Sequence, residues 1–362
     1  MARAATVLAS GFLACLLAGC DGASIGPSAA APTDGRAPSP ASSVSAGGSP
    51  SSAASGPAAP ASPASSGRLS AGDLAVARIE TVATPCELAE GLGLVWVTSY
   101  VDNQVKAIDP GTNAVVRAFD VPMGPCGVAV GFGSVWVSGG SRTVARLDPA
   151  TGRQLANVPI PGEIYDVQVG PDAVWATDRT NGTLVRIDPE TNEIAATYEV
   201  GTSADGFRIA EDAIWVAADR SSEVVRVDPS DGAVVARIAV GNRPNWVAIG
   251  DGAIWVENTS DRTVSRIDPA TSAVVGTSPV GALPVYLTTD AGRLWVANGG
   301  ARSVTVLDEA TGERLAEIAF KTGVHGLAAA AGSIWVLDLH GPSVLGELNG
   351  ATIWRLAPGR LP

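Results

Sequence analysis

Positive charge is scarce in this chain of 362 residues. Its 24 lysines and arginines stand against 36 aspartates and glutamates, which leaves a net charge of -12 at neutral pH. Because attachment to a phosphate backbone needs many cationic side chains, this balance argues against a nucleic-acid partner. The sequence also has only 2 histidines, and it contains no phosphate-cradling glycine loop, serine nucleophile elbow or HExxH motif. It therefore offers none of these short motifs as evidence of an enzyme.

The amino terminus has the pattern of an export signal. Arg3 supplies a positive charge, and residues 7–17 form an apolar stretch that is too short to stay across a bilayer. This stretch ends in Leu-Ala-Gly-Cys, and small residues before a cysteine resemble the bacterial lipobox. The resemblance implies that residues 1–19 are a lipoprotein signal peptide, that Cys20 is acylated, and that the protein is exported and lipid-anchored on the extracytoplasmic side of a bacterial membrane. An ordinary secretory signal with a chance cysteine is the alternative.

The segment that follows cannot form a core. Residues 21–72 are mostly Ser, Ala, Pro and Gly, with almost no large apolar side chains to offset the entropy lost on ordering. We expect residues 20–72, the lipidated cysteine included, to form a disordered linker that lifts the folded part off the membrane. The remaining residues 73–362 are rich in Val, Ile and Trp and suffice for a buried core.

Tryptophan marks an internal repeat of roughly forty residues. The seven markers are Trp96, Trp136, Trp175, Trp215, Trp255, Trp295 and Trp335. An aspartate follows six of them at a similar distance: Asp109, Asp148, Asp188, Asp228, Asp268 and Asp308. Proline follows five of these six aspartates, and in the seventh unit Leu348 stands at the aspartate position.

The unit of residues 244–281 shows how each repeat is predicted to fold. Four short segments, three of them rich in β-branched residues, indicate strands. These strands, a to d, are residues 246–249, 253–256, 263–267 and 273–276. Gly-Asp-Gly predicts a hairpin turn between strands a and b, and Asp268-Pro269 predicts a turn between c and d. No segment has a helical period long enough to compete.

Four strands per unit and seven units predict an all-β fold, a seven-bladed β-propeller. Residues 75–85 resemble residues 234–244, so the folded part starts with a strand d. We expect this N-terminal outer strand to complete the last blade, which would close the ring and cover a sheet edge. The tail, residues 352–356, could compete for that position or flank it.

The repeat consensus is similar to that of known propellers. The pattern Val-Trp-Val, then Val-x-Arg-Ile-Asp-Pro-x-Thr, then Val-Gly-x-x-Pro resembles the YVTN/YncE-like and virginiamycin B lyase-like propeller families over about residues 75–362. The resemblance implies the seven-bladed fold. It specifies function poorly, because propellers host unrelated activities.

The repeated residues are expected to be structural. A single ligand site does not need seven tryptophans, so we predict that the markers pack between blades. Four arginines each lie two residues before an Asp-Pro pair: Arg146, Arg186, Arg226 and Arg266. Residues two apart on a strand share a face, and we therefore predict ion pairs of these arginines and aspartates within or between blades.

Functional residues are expected where the repeats differ. The a strands of a propeller line its channel, and their first residues surround one mouth. Counting back a fixed distance from each marker gives a first ring: Cys86, Cys126, Tyr165, Asp205, Asn245, Val285 and His325. The next residues give a second ring: Glu87, Gly127, Asp166, Gly206, Trp246, Tyr286 and Gly326.

Polar and aromatic residues collect in these two rings, which is typical of a small-molecule site. The candidate ligand-binding residues are Glu87, Tyr165, Asp166, Asp205, Asn245, Trp246, Tyr286 and His325. A water-filled mouth that merely tolerates polar residues is the alternative. The b–c loops of the same face add residues that we interpret as solvated: Tyr100, Asp102, Asp178, Arg179, Arg220, Asp261, Arg262 and Arg302.

Cys86 and Cys126 occupy equivalent positions in adjacent blades. An exported protein meets oxidising conditions, and neighbouring inner strands lie near the far end of the Cα separation that a disulfide allows. We predict a disulfide between them, with free thiols as the alternative. His325 follows them around the ring, so a soft-metal site is a further alternative, although oxidation would remove two of its ligands.

These features favour a non-enzymatic, monomeric module that binds a ligand or another protein at the channel mouth. The partner would be a small molecule, a polysaccharide or an envelope protein, besides the membrane lipid at Cys20. We predict no catalytic residue, no metal ligand and no cofactor.

The alternative is a metal-dependent lyase or hydrolase that uses a divalent cation such as Mg²⁺ or Ca²⁺. Virginiamycin B lyase-like enzymes use two histidines, a glutamate and Mg²⁺ at this mouth. Here only His325 lies on the ring, while His340 lies in a loop of the same blade. A gluconolactonase-like hydrolase would need acidic and amide ligands, which Glu87, Asp205 and Asn245 could supply.

Overall fold

A computed structural model describes residues 68–81, 84–122, 124–140, 142–210, 212–339 and 350–361. They belong to one unit of the chain, Ser66–Pro362. The predicted signal peptide, Cys20 and nearly all of the predicted linker lie outside the described residues, as do His340 and Leu348. Within the described ranges, no helix has the length and apolar character needed to cross a bilayer.

Seven antiparallel sheets account for nearly all regular structure in the described residues. The chain enters through β1 (Leu69–Ser70), the short helix α1 (Ala71–Leu74) and β2 (Ala75–Thr81). Blades one to three consist of β3 (Pro85–Gly91), β4 (Leu94–Ser99), β5 (Gln104–Asp109), β6 (Ala114–Asp120), β7 (Pro125–Gly131), β8 (Ser134–Gly139), β9 (Thr143–Leu147), β10 (Gln154–Pro159), β11 (Ile164–Val169), β12 (Val174–Asp178), β13 (Thr183–Asp188) and β14 (Glu193–Glu199).

Blades four to six repeat this arrangement. Their strands are β15 (Ala204–Ile209), β16 (Ile214–Ala218), β17 (Glu223–Val227), β18 (Val234–Ala239), β19 (Pro244–Ile249), β20 (Ile254–Asn258), β21 (Thr263–Asp268), β22 (Ala273–Pro279), β23 (Pro284–Asp290), β24 (Arg293–Asn298), β25 (Ser303–Asp308) and β26 (Arg314–Ala319). Blade seven contains β27 (Gly323–Ala330), β28 (Ser333–Leu339) and β29 (Ala351–Leu356). Two 3-10 turns, Asp219–Ser221 and Pro358–Arg360, complete the described elements.

The blades are joined in a ring through their innermost strands. Each innermost strand contacts that of the next blade, and β27 of blade seven contacts β3 of blade one. The all-β, seven-bladed propeller predicted from the repeats is therefore confirmed. In blade seven the sheet order is β2-β29-β28-β27, so the N-terminal strand β2 lies outermost. Blade six carries an additional short strand, because β1 pairs in parallel with β26.

The third strand of blade seven comes from the C-terminal tail. This strand is β29, which starts at Ala351, beyond the position of the missing aspartate marker. Trp335 pairs with Arg355, as Trp255 pairs with Arg266 in blade five. The C-terminal tail thus supplies strand c and is flanked by β2, because the chain between β28 and β29 is longer than in the other blades.

All seven marker tryptophans are buried, with at most 1% of the side chain exposed. Trp136 of blade two, for example, belongs to the same apolar cluster as Ile164 and Val174 of blade three. Packing between blades is therefore the role of these residues. Three of the indoles also satisfy their N–H groups locally, as Trp96 Nε1 does by donating to the Gly91 carbonyl at 3.1 Å.

The repeated arginines do not pair with the aspartates that follow them. Asp148 instead accepts a hydrogen bond from the Ala150 N–H of its own turn at 2.8 Å. Arg146 stacks its guanidinium 5.0 Å from the centre of the Trp136 ring and donates to Asn192 Oδ1 of the next blade at 2.9 Å. The predicted ion pair is wrong because a turn aspartate is better satisfied by its own backbone N–H groups.

Arg355 makes the same connection across the point where the chain ends meet. Its Nη1 donates to Asn113 Oδ1 of blade one at 3.0 Å and to the Pro110 carbonyl. Its guanidinium carbon lies 5.4 Å from the Trp335 ring centre. The contact between blades seven and one is therefore the same as the contact between blades two and three. It forms even though the strands of blade seven follow a different order along the chain.

Candidate functional site

A β-bulge in every innermost strand positions the predicted rings. In each of the seven first sheet pairings the register shifts near the start of the strand, after the first pair in six blades and after the second in blade seven, for example between Pro244 and Val247. The ring residues of that strand, Asn245 and Trp246, lie inside the shift. Because a bulge leaves residues unpaired and turns their side chains, it can direct neighbouring residues towards the same axis.

The second ring closes the channel. All seven of its residues are buried, and Asp166 has no exposed surface. In the first ring only Cys126, Asn245 and Val285 are partly exposed. We call the first ring the upper ring and the second the barrier ring. The structure brings the predicted site residues together at the axis. Most of them are buried against one another and do not line an open cavity.

A hydrogen-bonded network links four blades across the barrier ring. The Tyr286 hydroxyl donates to Glu87 Oε1 at 3.2 Å and accepts from Arg208 Nη2 at 3.1 Å. Arg208 Nη1 forms an ion pair with Asp166 Oδ2 at 3.3 Å. The Val128 N–H adds a bond to Glu87 Oε2 at 3.3 Å. Strands β3, β11, β15 and β23 are therefore connected through side chains at the axis.

Burial controls the charge of this network. It raises the pKa of the Glu87 carboxyl well above its usual range, and the neighbouring Asp166 raises it further while Arg208 opposes the change. Burial also raises the pKa of Asp166, again against the effect of Arg208. One arginine thus stands beside two buried carboxyls, an arrangement that favours retention of a proton on Glu87.

Trp246 crosses the axis between the other aromatic residues. Its ring centre lies 4.2 Å from that of Tyr286 and 5.9 Å from that of Tyr165, and the Arg208 guanidinium carbon lies 4.9 Å from it. Gly206 makes room for the indole, because a Cβ there would be 2.5 Å from Trp246 Cε3. The barrier is therefore built from a large aromatic residue that needs a glycine as its neighbour.

A second network lies in the upper ring. Tyr165 donates its hydroxyl hydrogen to Asn245, and Asn245 Nδ2 lies 3.5 Å from Asp205 Oδ2. Arg179 Nε is 2.9 Å from Asp205 Oδ1. Burial raises the pKa of Asp205 to about 8; the Arg179 charge opposes this and that of Asp219 adds to it. Asn245 is the most accessible polar member of the predicted site in this ring.

Two loop residues that we interpreted as solvated are not. The Arg179 side chain is 22% exposed and is held by Asp205 and Asp219. Asp178 is buried and accepts a hydrogen bond from the Gly162 N–H at 2.8 Å. That interpretation is wrong for these positions, because the end of strand b lies against the d–a loop and its side chains are drawn into it.

Cys86 and Cys126 are joined by a disulfide, with a Cα–Cα distance of 5.0 Å. It ties β3 to β7 beside Glu87. His325 is buried at the adjacent ring position, and burial lowers the pKa of its imidazole to about 4. The imidazole is therefore neutral at physiological pH, and the cysteines are not available as the thiolates of a soft-metal site.

The donors of a divalent-cation site do not converge. Glu87 is bonded to Tyr286, and Asp205 is paired with Arg179. Across the described ranges, no three His, Cys, Asp or Glu side chains are placed to hold a metal ion. The described side chains at this mouth, which do not include His340, therefore do not fit a Mg²⁺ or Ca²⁺ site.

Arg208 lies one ring beyond the predicted site residues and was not among them. Two residues beyond the barrier ring lies a third ring, the lower ring: Ala89, Ala129, Gln168, Arg208, Ala248, Thr288 and Ala328. One arginine among small residues is a signal that could have been found by extending the same count. Glu257 was missed too: it stands where most blades have Thr, Ser or Ala, and its Oε2 accepts the Trp246 N–H at 2.8 Å.

The fold resembles solved structures, although no known family matches the sequence and no curated protein matches it either. One similar structure is described as "Streptogramin B lyase structure", with a TM-score of 0.64 and 16% sequence identity. The alignment covers 77% of this chain and 97% of that chain. At this identity the similarity establishes a common fold.

Proposed function

We propose that this protein is a non-enzymatic binding module, anchored by lipid at Cys20 and displayed on the extracytoplasmic side of a bacterial membrane. Its ligand is a small polar molecule, an envelope polysaccharide or an envelope protein that contacts the upper ring. The signal-like residues 1–19 and the linker of residues 20–72 support the location. The acidic balance of the chain supports a partner other than nucleic acid.

One observation carries the proposal. The framework of the blades repeats, whereas the ring residues of blades three to five differ from blade to blade and assemble into one polar and aromatic cluster. Asn245 is its partly exposed amide, held between the Tyr165 hydroxyl and the Asp205 carboxyl. An amide fixed by two neighbours presents its remaining donor and acceptor capacity in a defined direction, which suits recognition of a polar ligand.

The enzymatic alternative draws on the similarity to the streptogramin B lyase structure. That similarity extends to the fold, and propellers of one fold host unrelated functions. The candidate cation ligands Glu87 and Asp205 are each committed to other partners. We therefore place a binding role ahead of a metal-dependent lyase or hydrolase.

The test uses the full-length, lipid-anchored chain in detergent and a panel of monosaccharides, amino acids and cell-wall glycan fragments. We expect saturable binding in isothermal titration, without product in mass spectrometry and without sensitivity to EDTA. Asn245→Ala should weaken binding at least about tenfold, since it removes the amide that is proposed to donate to and accept from the ligand. Asn242→Ala is the matched control, because Asn242 is an exposed amide in the preceding loop.

Equal binding by the Asn245→Ala variant and the unaltered protein would remove the upper ring as the site. Turnover of a bound compound that stops on chelation would overturn the non-enzymatic role.

A further inference from the structure

We infer that the lower ring, on the far side of the barrier, is a second binding site that takes a small carboxylate through Arg208 and Trp246. This site is separate from the upper ring and goes beyond the function proposed above. It is reached from the face that carries the a–b turns.

Exposure along the a strands indicates the route of access. The barrier ring is buried at all seven positions, whereas Gln168, Arg208 and Thr288 of the lower ring are partly exposed. Next toward the a–b turns, Gly170, Ala210 and Asp290 are partly exposed as well. Apart from Gln168, the other members of the lower ring are Ala or Thr, and Arg208 itself is partly exposed on this side of the barrier ring.

Arg208 has hydrogen-bonding capacity left over. A guanidinium has five N–H groups. Two bonds from Nη1 reach Asp166 and the Phe207 carbonyl, and one bond from Nη2 reaches Tyr286. The Nε–H and the second Nη2 hydrogen have no partner among the residues that the structure describes. A carboxylate accepts two such N–H groups side by side, which is the strongest geometry for this pair.

Trp246 supplies an independent indication of a ligand. Its side chain is 5% exposed, and its Nε1–H is buried without a hydrogen-bond partner in the described part of the chain. A buried donor without an acceptor destabilises the state that contains it. The indole lies directly against Arg208, with 4.9 Å between the guanidinium carbon and the ring centre. The indole that carries one unpaired donor therefore packs against the guanidinium that carries the others.

The charges nearby decide which acceptor fits. Asp166 already accepts bonds from Gln168, Phe207 N–H and Arg208. Burial raises the pKa of both Glu87 and Asp166, so these two carboxyls compensate the Arg208 charge less than exposed carboxylates would. A compact anion that engages the unused edge of the guanidinium fits this balance, whereas a cation would be repelled by Arg208.

Trifluoroacetate and its neutral isostere trifluoroacetamide form a matched pair of probes for ¹⁹F NMR on the full-length protein. We expect saturable broadening and shift of the trifluoroacetate signal, and at least about tenfold weaker binding of the amide, because charge-assisted bonds are roughly twice as strong as neutral ones. Arg208→Gln should abolish saturation. Arg302→Gln, at an exposed loop arginine, should leave it unchanged.

Trp246→Phe keeps an aromatic six-membered ring over Arg208 and removes the pyrrole ring with its N–H. It should weaken trifluoroacetate binding about fivefold to tenfold, as expected for one lost hydrogen bond, and it covers the case in which Arg208→Gln does not fold. Equal binding of acid and amide, or equal loss in Arg208→Gln and Arg302→Gln, would overturn the inference. Asn245→Ala should bind trifluoroacetate normally, so failure here and failure at the upper ring are distinguishable.

Discussion

Strand a and strand b are hydrogen-bonded neighbours in each blade, yet their residues differ in regularity. Strand b carries the same buried tryptophan in all seven blades. Strand a carries small, acidic, aromatic or sulfur-containing residues at equivalent ring positions. The tryptophan meets the same requirement everywhere, which is to fill the space between two twisted sheets. The ring residues meet only at the axis, where each blade contacts a different set of partners.

Stability and recognition are therefore expected to separate by strand. The repeated framework stabilises the fold through apolar burial, so we expect its contribution to the free energy of unfolding to be independent of pH. The axial cluster contains buried carboxyls beside two arginines, and its contribution depends on protonation. Substitutions in the repeated framework and in the axial cluster test this difference directly.

The largest effect is expected from Trp175→Ala. This indole is 1% exposed and belongs to one apolar cluster with Phe207 and Val216 of the next blade. Removing it should lower the free energy of unfolding by about 3–5 kcal/mol, because transfer and cavity costs add. Urea denaturation followed by circular dichroism measures the change.

The folded Trp175→Ala protein should still bind trifluoroacetate, since Trp175 does not reach the axis. A loss below about 1 kcal/mol would show that the repeated tryptophans are not what holds neighbouring blades together.

An intermediate, pH-dependent effect is expected from Asp205→Asn. The folded-state pKa of Asp205 is about 8, above its ordinary value of 3.8. The folded protein therefore holds a proton that the unfolded chain releases, and this stabilisation, complete below pH 3.8, is lost as the pH rises towards 8. Between pH 5 and 8 the unaltered protein should lose about 3–4 kcal/mol more stability than the variant.

Asp261→Asn is the control for the pH experiment. Asp261 is exposed, and hydrogen bonds from Asn242 lower its pKa. It is ionised in both states above pH 5, so its substitution should leave the slope between pH 5 and 8 unchanged. Identical slopes for Asp205→Asn and the unaltered protein would mean that Asp205 does not titrate in this range.

The fold could be predicted from the sequence because the same pattern recurs in each repeat. Each Trp, Asp-Pro turn and β-branched run independently predicts the same four-stranded blade. The third strand of blade seven could not be located from the repeat, because its aspartate marker is missing and the connection before Ala351–Leu356 is longer than in the other blades.

The candidate site was only partly accessible. Counting back from the tryptophans located the ring residues, since strand register transfers from blade to blade. The same count could not show that Trp246 lies across the axis or that Tyr286 reaches Glu87 from another blade. Those contacts depend on side-chain directions set by the bulges and on the curvature of the ring. The roles of Arg146 and Arg179 were misjudged for the same reason, because their partners lie outside their own strand.

The smallest effects should distinguish the two kinds of repeated arginine contact. Arg146→Met removes bonds to Ser134 within the blade and to Asn192 of the next blade, at 2.8 and 2.9 Å. We expect it to cost about 1.5–2 kcal/mol in urea denaturation, as for hydrogen bonds from a charged group. Asp172→Asn breaks the Arg186–Asp172 pair instead, in which the aspartate is 67% exposed. It should cost less than about 0.5 kcal/mol, because solvent screens such pairs. Equal costs for the two substitutions would mean that the contact between blades adds nothing to an ordinary surface ion pair, and that the tryptophans alone join the ring.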